Sequence, residues 1–144
     1  MGWKSYELDR AAQKLVLNAR ERDPKSLNQS HNMRMAVAYG LERFWGEHLR
    51  LKGKKLEDEN KSKFWKETWD ALVEVMYKAG VIIPNEPLHP DSNGKIPTRE
   101  IQAMSESLWA LPVEDQRVAI AVLTQLCDCL VWWTQRYKVR EGRQ

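Results

Sequence analysis

Cysteine is nearly absent from this 144-residue chain, which has only Cys127 and Cys129. Residues two apart on a helix point to different faces, so these two thiols cannot form a disulfide with each other there. A chain of this length can bury a core without such crosslinks. We therefore expect reduced thiols and an intracellular protein.

Catalytic and cofactor-binding motifs are also lacking. The chain has no glycine-rich phosphate loop, no nucleophile elbow and no paired-cysteine metal motif. His31, His48 and His89 share no spacing, and His48 falls on an apolar stripe. That position is typical of a core histidine with a satisfied hydrogen bond rather than of a metal ligand. We expect no catalytic residue, no metal and no cofactor, and hence a protein that is not an enzyme.

Long apolar runs are missing as well. The N-terminus opens no run of signal-peptide type, and no run reaches the length that spans a membrane. Strand-like alternation, internal repeats and low-complexity tracts are absent too. These absences favour a cytoplasmic, helical chain without a membrane partner.

Helical periodicity is what the chain does have. Apolar residues recur at i, i+3 and i+4 spacing in five segments, and one domain is the natural count at this length. We predict an all-α, single-domain bundle over residues 1–144, with about five helices around a long C-terminal helix. The predicted helices cover about 5–22, 30–52, 58–79, 98–111 and 112–140.

Local signals set the expected helix boundaries. Pro24 should end the first helix, Asp58 or Asn60 should cap the third, and Gly80 should terminate it. Thr98 is expected to cap the fourth helix after a proline-rich loop at 84–97.

Two apolar features are assigned packing roles. Gly40 lies in the middle of the second predicted helix, where we expect it to let another helix approach closely. The run 81–83 is expected to be an extended segment tucked on the core.

The last predicted helix is apolar on more than one face, which is typical of a helix wrapped by others. Glu114 and Asp115 lie near its positive end, and basic residues follow at its negative end. Its neighbouring Trp132 and Trp133 cannot both face one core. We expect one of them to meet a partner or a neighbouring helix.

Positive charge is concentrated in the N-terminal part of the chain. Residues 1–56 carry a net +6, residues 57–97 carry −3 and residues 98–144 carry 0. Such an asymmetry suggests a polyanionic partner, because lysine and arginine neutralise phosphates without reading sequence. Trp45 beside the first patch and Trp132 or Trp133 beside the second are candidates for base stacking. The expected nucleic-acid-binding residues are Arg43, Arg50, Lys52, Lys54 and Lys55 in one patch, and Arg136, Lys138 and Arg140, with Arg143, in the other.

Two alternatives stay open. The seven tryptophans suit a protein–protein adaptor or regulator, of phage or plasmid type, that binds no nucleic acid. Glu67, Asp70 and Glu74 share one helical face, as a metal-dependent nucleotide hydrolase would require. A second carboxylate pair is missing, and neighbouring lysines favour ordinary helix ion pairs instead.

Two stretches resemble the small α-helical subunits of CRISPR effector complexes, of the type III, type I and type IV kinds. The segment 130–137, Leu-Val-Trp-Trp-Thr-Gln-Arg-Tyr, is similar to the end of those subunits. Tyr39-Gly40-Leu41, followed by Phe44-Trp45 and Lys52-Gly53-Lys54, looks like their Gly-Leu helix that runs into a lysine-rich turn. Together these stretches cover about a quarter of the chain.

The resemblance implies a non-catalytic subunit that lines a filament of backbone subunits. Its partners would be other subunits of the complex and either the guide–target duplex or a displaced single strand, with self-association as a further possibility. By charge and position, the residues expected to hold the nucleic acid are Arg43, Arg50, Lys54 and Arg136.

Overall fold

The computed structural model describes residues 5–53 and 55–138, with side chains from residue 7 onward. This part of the chain is all-helical and contains no strand, which confirms the predicted fold class. Six α-helices are found rather than five, and two short 3-10 helices, Pro24–Asn28 and Val37–Tyr39, flank the second. The α-helices are α1 (Ser5–Arg22), α2 (Gln29–Ala36), α3 (Leu41–Leu51), α4 (Leu56–Lys78), α5 (Thr98–Trp109) and α6 (Val113–Tyr137).

The long C-terminal helix α6 is a main packing element of the bundle, as expected, but the other helices cover one side of it rather than wrapping it. It packs against α1, α2 and α4, and α3 packs mainly against α4. One broad side of α6 is removed from solvent, while Val118 and Trp132 lie on its exposed side. The buried α6 residues are Ala119, Val122, Leu123, Leu126, Cys127, Leu130 and Thr134.

By length and hydropathy alone, α6 is also able to cross a bilayer. This finding corrects the expectation that no run reaches that length. It is weak evidence for a membrane segment, because a single helix of this length and composition also occurs in helical bundles, and α6 packs against three other helices here.

Gly40 breaks the predicted second helix into two. Its φ of +97° lies where L side chains rarely go, and it separates α2, which packs on α6, from α3, which packs on α4. A Cβ built at Gly40 meets no atom within 4 Å. The expectation of a close helix approach was therefore wrong, and the glycine is needed for backbone conformation rather than for space.

Two predicted N-caps were also wrong. The fourth helix, α4, begins at Leu56, so Asp58 and Asn60 lie inside it, and Asn60 is buried. The Asp58 side chain lies over Gly53, where a Cβ would come within 3.1 Å of Asp58 Oδ2. Thr98 is the first residue of α5 and caps nothing with its side chain.

The C-terminus of α4 ends as predicted at Gly80, whose φ is +87°. The Gly80 and Val81 amides donate to the carbonyl oxygens of Tyr77 and Met76, at 3.0 and 2.9 Å. This pair of bonds is the Schellman arrangement that a left-handed glycine permits. The chain leaves it extended, with Ile83 buried in the core and Ile82 exposed.

The predicted polar connector, residues 25–30, is more buried than its sequence suggests, and its last two residues begin α2. Gln29 and Ser30 are both removed from solvent and hydrogen-bonded. Gln29 Oε1 accepts from Trp65 Nε1 at 3.0 Å, and the hydroxyls of Ser30 and Thr134 lie 2.6 Å apart. These contacts fix α2 to α4 and α6 because each satisfies a polar group that would otherwise be buried alone.

His48 is a buried histidine with a satisfied ring nitrogen, as predicted. Its Nδ1 bonds to the carbonyl oxygen of Trp45, and its ring meets the Trp45 indole edge-on at 5.5 Å. Burial lowers the pKa of His48, with Lys66 and Lys52 acting in the same direction.

Gly40 and Gly46 provide a test of the conformational role of Gly40. Gly40→Ala should lower the free energy of unfolding by about 1–3 kcal/mol, because alanine is strained at a positive φ. Gly46→Ala should raise it by about 0.5–1 kcal/mol, because this helical site has ordinary contact space for a Cβ. Denaturant unfolding of both variants measures the difference. Equal effects of the two substitutions would contradict the conformational role of Gly40.

The neutral His48 makes stability depend on pH. Because its folded pKa is lowered, the unfolded chain binds a proton more readily, and stability present above about pH 6.5 is lost as pH falls through the folded pKa. We expect thermal midpoints to drop on acidification from pH 7 toward pH 5. His48→Gln should flatten that drop relative to its own midpoint at pH 7, whereas His31→Gln, an exposed control, should leave it intact.

Candidate nucleic-acid interface

Much of the first predicted basic patch is neutralised within the protein. The Arg50 guanidinium forks onto both oxygens of Glu47, at 2.7 and 2.8 Å, and this bond raises the pKa of Arg50. Lys52 lies 3.7 Å from a carboxylate oxygen of Glu59. Lys55 is exposed directly before α4, and Lys54 lies outside the described residues. Arg50 and Lys52 therefore present less net positive charge than their density in the sequence suggests.

Trp45, the tryptophan expected to stack on a base at this patch, is buried and cannot contact a ligand. Trp45 is only 1% exposed, and its indole packs on His48 in the core. Trp65 and Trp69 are equally buried beside Phe44, at ring-centroid distances of 5.0 and 6.4 Å. The expectation that Trp45 stacks on a base is wrong, because its face of α3 packs into the bundle.

Arg43 has a different environment from Arg50. It is exposed on the first turn of α3, and its guanidinium carbon lies 5.9 Å from the ring centroid of Tyr39, which is 68% exposed. None of the salt bridges within residues 5–53 and 55–138 involves Arg43. The arginine is therefore held over an aromatic ring while its charge remains available to an anion.

Arg43 and Tyr39 lie on the wall of a slot of about 360 Å³, defined here as the Tyr39–Trp109 slot. Trp109, 61% exposed at the end of α5, lines the same slot with Gln116 of α6. The acidic residue that lines the slot is Glu42, whose Oε2 accepts a hydrogen bond from Ser105 Oγ at 2.9 Å. The slot thus combines two exposed aromatic rings with one cation and one carboxylate.

The second predicted patch contains an arginine–tryptophan cluster. The Arg136 guanidinium carbon lies 5.6 Å from the Trp132 centroid and 5.7 Å from that of Trp133. Trp132 is 55% exposed and meets Trp133 edge-on at 4.8 Å. Trp133 in turn stacks on Tyr137 at 5.5 Å with an interplanar angle of 15°. We define these four side chains as the Arg136 cluster.

Contacts with α1 explain why the two adjacent tryptophans differ. Trp133 Nε1 donates to Asp9 Oδ1 at 3.1 Å, and Gln13 Nε2 donates to the Tyr137 hydroxyl at 3.4 Å. Trp133 is therefore held against α1, and Trp132 is the member that faces solvent. Lys138 is exposed directly after α6, whereas Arg140 and Arg143 lie outside the described residues.

The two aromatic–arginine sites lie toward opposite ends of α6. Ile120 lines the Tyr39–Trp109 slot, and Trp132 follows it by twelve residues, or about 18 Å of helix. The sequence pattern picked out both arginines and Trp132, but it missed Tyr39 and Trp109 as site residues. The sequence feature that could have identified them is a large aromatic residue next to a helix end, where a side chain is often exposed to solvent.

The three carboxylates of the hydrolase alternative each face a cation of the protein. Glu67 accepts two hydrogen bonds of 3.0 Å from the Arg22 guanidinium. Asp70 pairs with Lys66 and also accepts from Asn85, and Glu74 lies 3.5 Å from Lys78. Within the described residues, no three His, Cys, Asp or Glu side chains are grouped as metal ligands would be.

Burial disfavours ionisation of both thiols. Cys127 and Cys129 are free, and burial raises the pKa of both. The pKa of Cys129 is raised to about 11, by burial first and then by the neighbouring Asp9. Neither position therefore favours a thiolate nucleophile.

No protein-family model, curated protein sequence or solved structure matches this chain.

The carboxylates of α4 can be tested through stability. Glu67→Ala should lower the free energy of unfolding by about 1–2 kcal/mol, because it leaves the half-buried Arg22 without its partner. Glu74→Ala should cost at most about 0.5 kcal/mol, because its pair with Lys78 is solvent-exposed. Millimolar Mg²⁺ or Mn²⁺ should not shift the thermal midpoint of the parent protein. A metal-dependent rise that disappears in both variants would restore the hydrolase alternative.

Proposed function

We propose that this protein is a non-catalytic, helical subunit of a ribonucleoprotein, which contacts nucleic acid through Arg43 and Arg136 and the aromatic rings beside them. One observation carries the proposal. Each of the two arginines lies beside an exposed aromatic ring, and neither forms a salt bridge with a carboxylate among the described residues. An arginine in such a place offers charge to a phosphate, and the ring offers a face to a base.

The arrangement suits a single strand better than an intact duplex. Stacking on Tyr39, Trp109 or Trp132 needs a base face, which a paired and stacked duplex does not offer. The two sites are separated by about 18 Å of helix, so a strand that touches both would run along the bundle. A displaced or unpaired strand is therefore the form of nucleic acid that we expect to bind most tightly.

The assembly we favour follows from the resemblance of residues 39–54 and 130–137 to small subunits of CRISPR effector complexes. Under this proposal the chain works with other subunits of the complex, in the cytoplasm, and supplies no catalytic group. Arg43 and Arg136 are the two members of the expected set with exposed aromatic partners. Arg50 and Lys52 contribute less, because acidic neighbours already neutralise them.

A second candidate is a protein–protein adaptor without nucleic-acid binding. The exposed rings of Tyr39, Trp109 and Trp132 favour it, because aromatic residues and arginine are enriched in interface cores. This alternative predicts a partner whose binding depends only weakly on salt. Nucleic-acid binding through unpaired arginines predicts the opposite.

Binding to labelled single-stranded RNA, single-stranded DNA and a DNA duplex across a salt series tests the proposal. We expect single strands to bind most tightly and affinity to fall steeply with salt. Arg43→Gln with Arg136→Gln should weaken single-strand binding at least tenfold at low salt. The same change should lower the slope of log affinity against log salt by about 1 to 2.

A charge-matched control separates local contacts from overall charge. Arg50→Gln with Lys52→Gln removes the same two positive charges, and we expect less than a threefold loss of affinity. Equal losses in the two double variants would mean that net charge alone governs binding, and would contradict the proposed contacts. Absence of binding by the parent protein at low salt would favour the adaptor.

A further inference from the structure

We propose that the Tyr39–Trp109 slot binds a single guanine base and so gives the protein a base preference. This inference deepens the proposed function and rests on it for the presence of a nucleic-acid strand. The slot contains hydrogen-bonding groups, Glu42 and Gln116, in addition to the arginine that would contact a phosphate. Those groups are what a base could bind.

The size and lining of the slot suit one nucleotide. Its volume of about 360 Å³ is at the small end of ligand pockets, which run from about 300 to 1,000 Å³. Tyr39 and Trp109 give it two large exposed aromatic rings, and Leu108 and Ile120 add apolar wall. Planar aromatic ligands stack on such rings with a gain that does not depend on base identity. Stacking therefore explains why a base would enter, but not which one.

Hydrogen-bond acceptors in the slot provide the selectivity. Glu42 carries a carboxylate there, and its Oε2 is oriented by the Ser105 hydroxyl. Gln116 donates its amide nitrogen to the backbone oxygens of Leu111 and Trp109, at 2.7 and 3.4 Å, which leaves its amide oxygen as an acceptor. The groups available to a base edge are thus a carboxylate and an amide oxygen.

Guanine matches these acceptors best among the four bases. Its N1–H and exocyclic amino group are adjacent donors, which a carboxylate can bind with both oxygens, and Glu42 Oε2 keeps a second acceptor site beside the one that Ser105 uses. Adenine and cytosine offer an amino group beside an acceptor nitrogen, so only one bond forms. Uracil has one ring N–H between two carbonyl oxygens, which repel a carboxylate.

Arg43 completes the site on its charged side. Its guanidinium is beside Tyr39 and has no carboxylate partner among the described residues, so it is available to the phosphate of the same nucleotide. A nucleotide bound in this way would place its base toward Glu42 and its phosphate toward Arg43. The adjacent acid and cation of α3 thus serve the two ends of one ligand.

Mononucleotides test the slot without a polymer. In an NMR titration with GMP, AMP, CMP, UMP and ribose 5-phosphate, we expect the indole N–H signal of Trp109 to respond most strongly to GMP. Trp109→Leu identifies that signal by its loss. An equal response to all five compounds would show phosphate binding only, and no response to any would show an unoccupied slot. Either result overturns the inference.

Oligonucleotides then measure base preference as a ratio. We expect a nine-nucleotide uridine RNA with one central guanosine to bind about fivefold or more tightly than the all-uridine strand. Glu42→Gln retains an acceptor for Ser105 but removes the carboxylate, and should reduce the ratio to less than twofold. Glu106→Gln, an exposed glutamate of α5 outside the slot, should leave it unchanged.

Two further variants separate this inference from the proposed function. Trp132→Leu, in the Arg136 cluster, should weaken both strands equally and preserve their ratio. Tyr77→Ala removes a tyrosine as exposed as Tyr39 but outside the slot lining, and should alter neither affinity nor ratio. Salt-dependent binding of both strands with a ratio near one would overturn the guanine slot and leave the proposed function standing. A GMP response without any strand binding would overturn the proposed function and leave the slot as a site for a free guanine nucleotide.

Discussion

The positive φ of Gly40 is the constraint on which both the core and the candidate site depend. At this residue the chain leaves the helical path of α2 and starts α3 on a different neighbour. Phe44 and Trp45 can then enter the core against α4, while Tyr39 and Arg43, on either side of the glycine, stay exposed at the slot. In a continuous helix, the directions of these four side chains would be fixed relative to one another by the helical repeat. The break allows one short segment to supply core and surface at once.

The short helix α2 is held in place by polar contacts as much as by apolar burial. Eight residues are too few for a helix to be stable by itself, so its conformation depends on its neighbours. The buried Ser30–Thr134 and Gln29–Trp65 bonds connect it to α6 and α4, and Arg34 reaches Asp128 on the surface of α6. Because a buried polar group is satisfied in only a few positions, these bonds specify one register of α2 on α6. That register in turn fixes where Tyr39 lies.

The parts of the fold that could be predicted from the sequence are those set by local periodicity. The apolar stripes of α1, α4 and α6 were readable, as were the end of α1 before Pro24 and the end of α4 at Gly80. The break at Gly40 was not, because a glycine inside a periodic pattern is compatible with either close packing or a positive φ. Only the surroundings decide between them, and they leave empty space at Gly40. The burial of the polar residues 29 and 30 was missed for the same reason, since their partners, Trp65 and Thr134, lie on distant segments.

The candidate site shows the same division between local and distant information. Counting basic residues placed Arg43 and Arg50 in one patch, yet their environments differ because of the residues one helical turn away. Arg50 has Glu47 three residues before it, within reach of a bidentate bond. Arg43 has Gly40 at that spacing and Tyr39 one residue further back.

Arg136 repeats the pattern of Arg43, with Trp133 and Trp132 three and four residues before it. In both places the arginine follows an aromatic residue by one turn, has no acid at the same spacing before it, and lies beside the ring with no salt bridge among the described residues. This property can be read from a sequence, whereas the density of positive charge alone does not separate Arg43 from Arg50. What the spacing cannot supply is the second wall of the slot, because Trp109 arrives from α5, more than sixty residues along the chain.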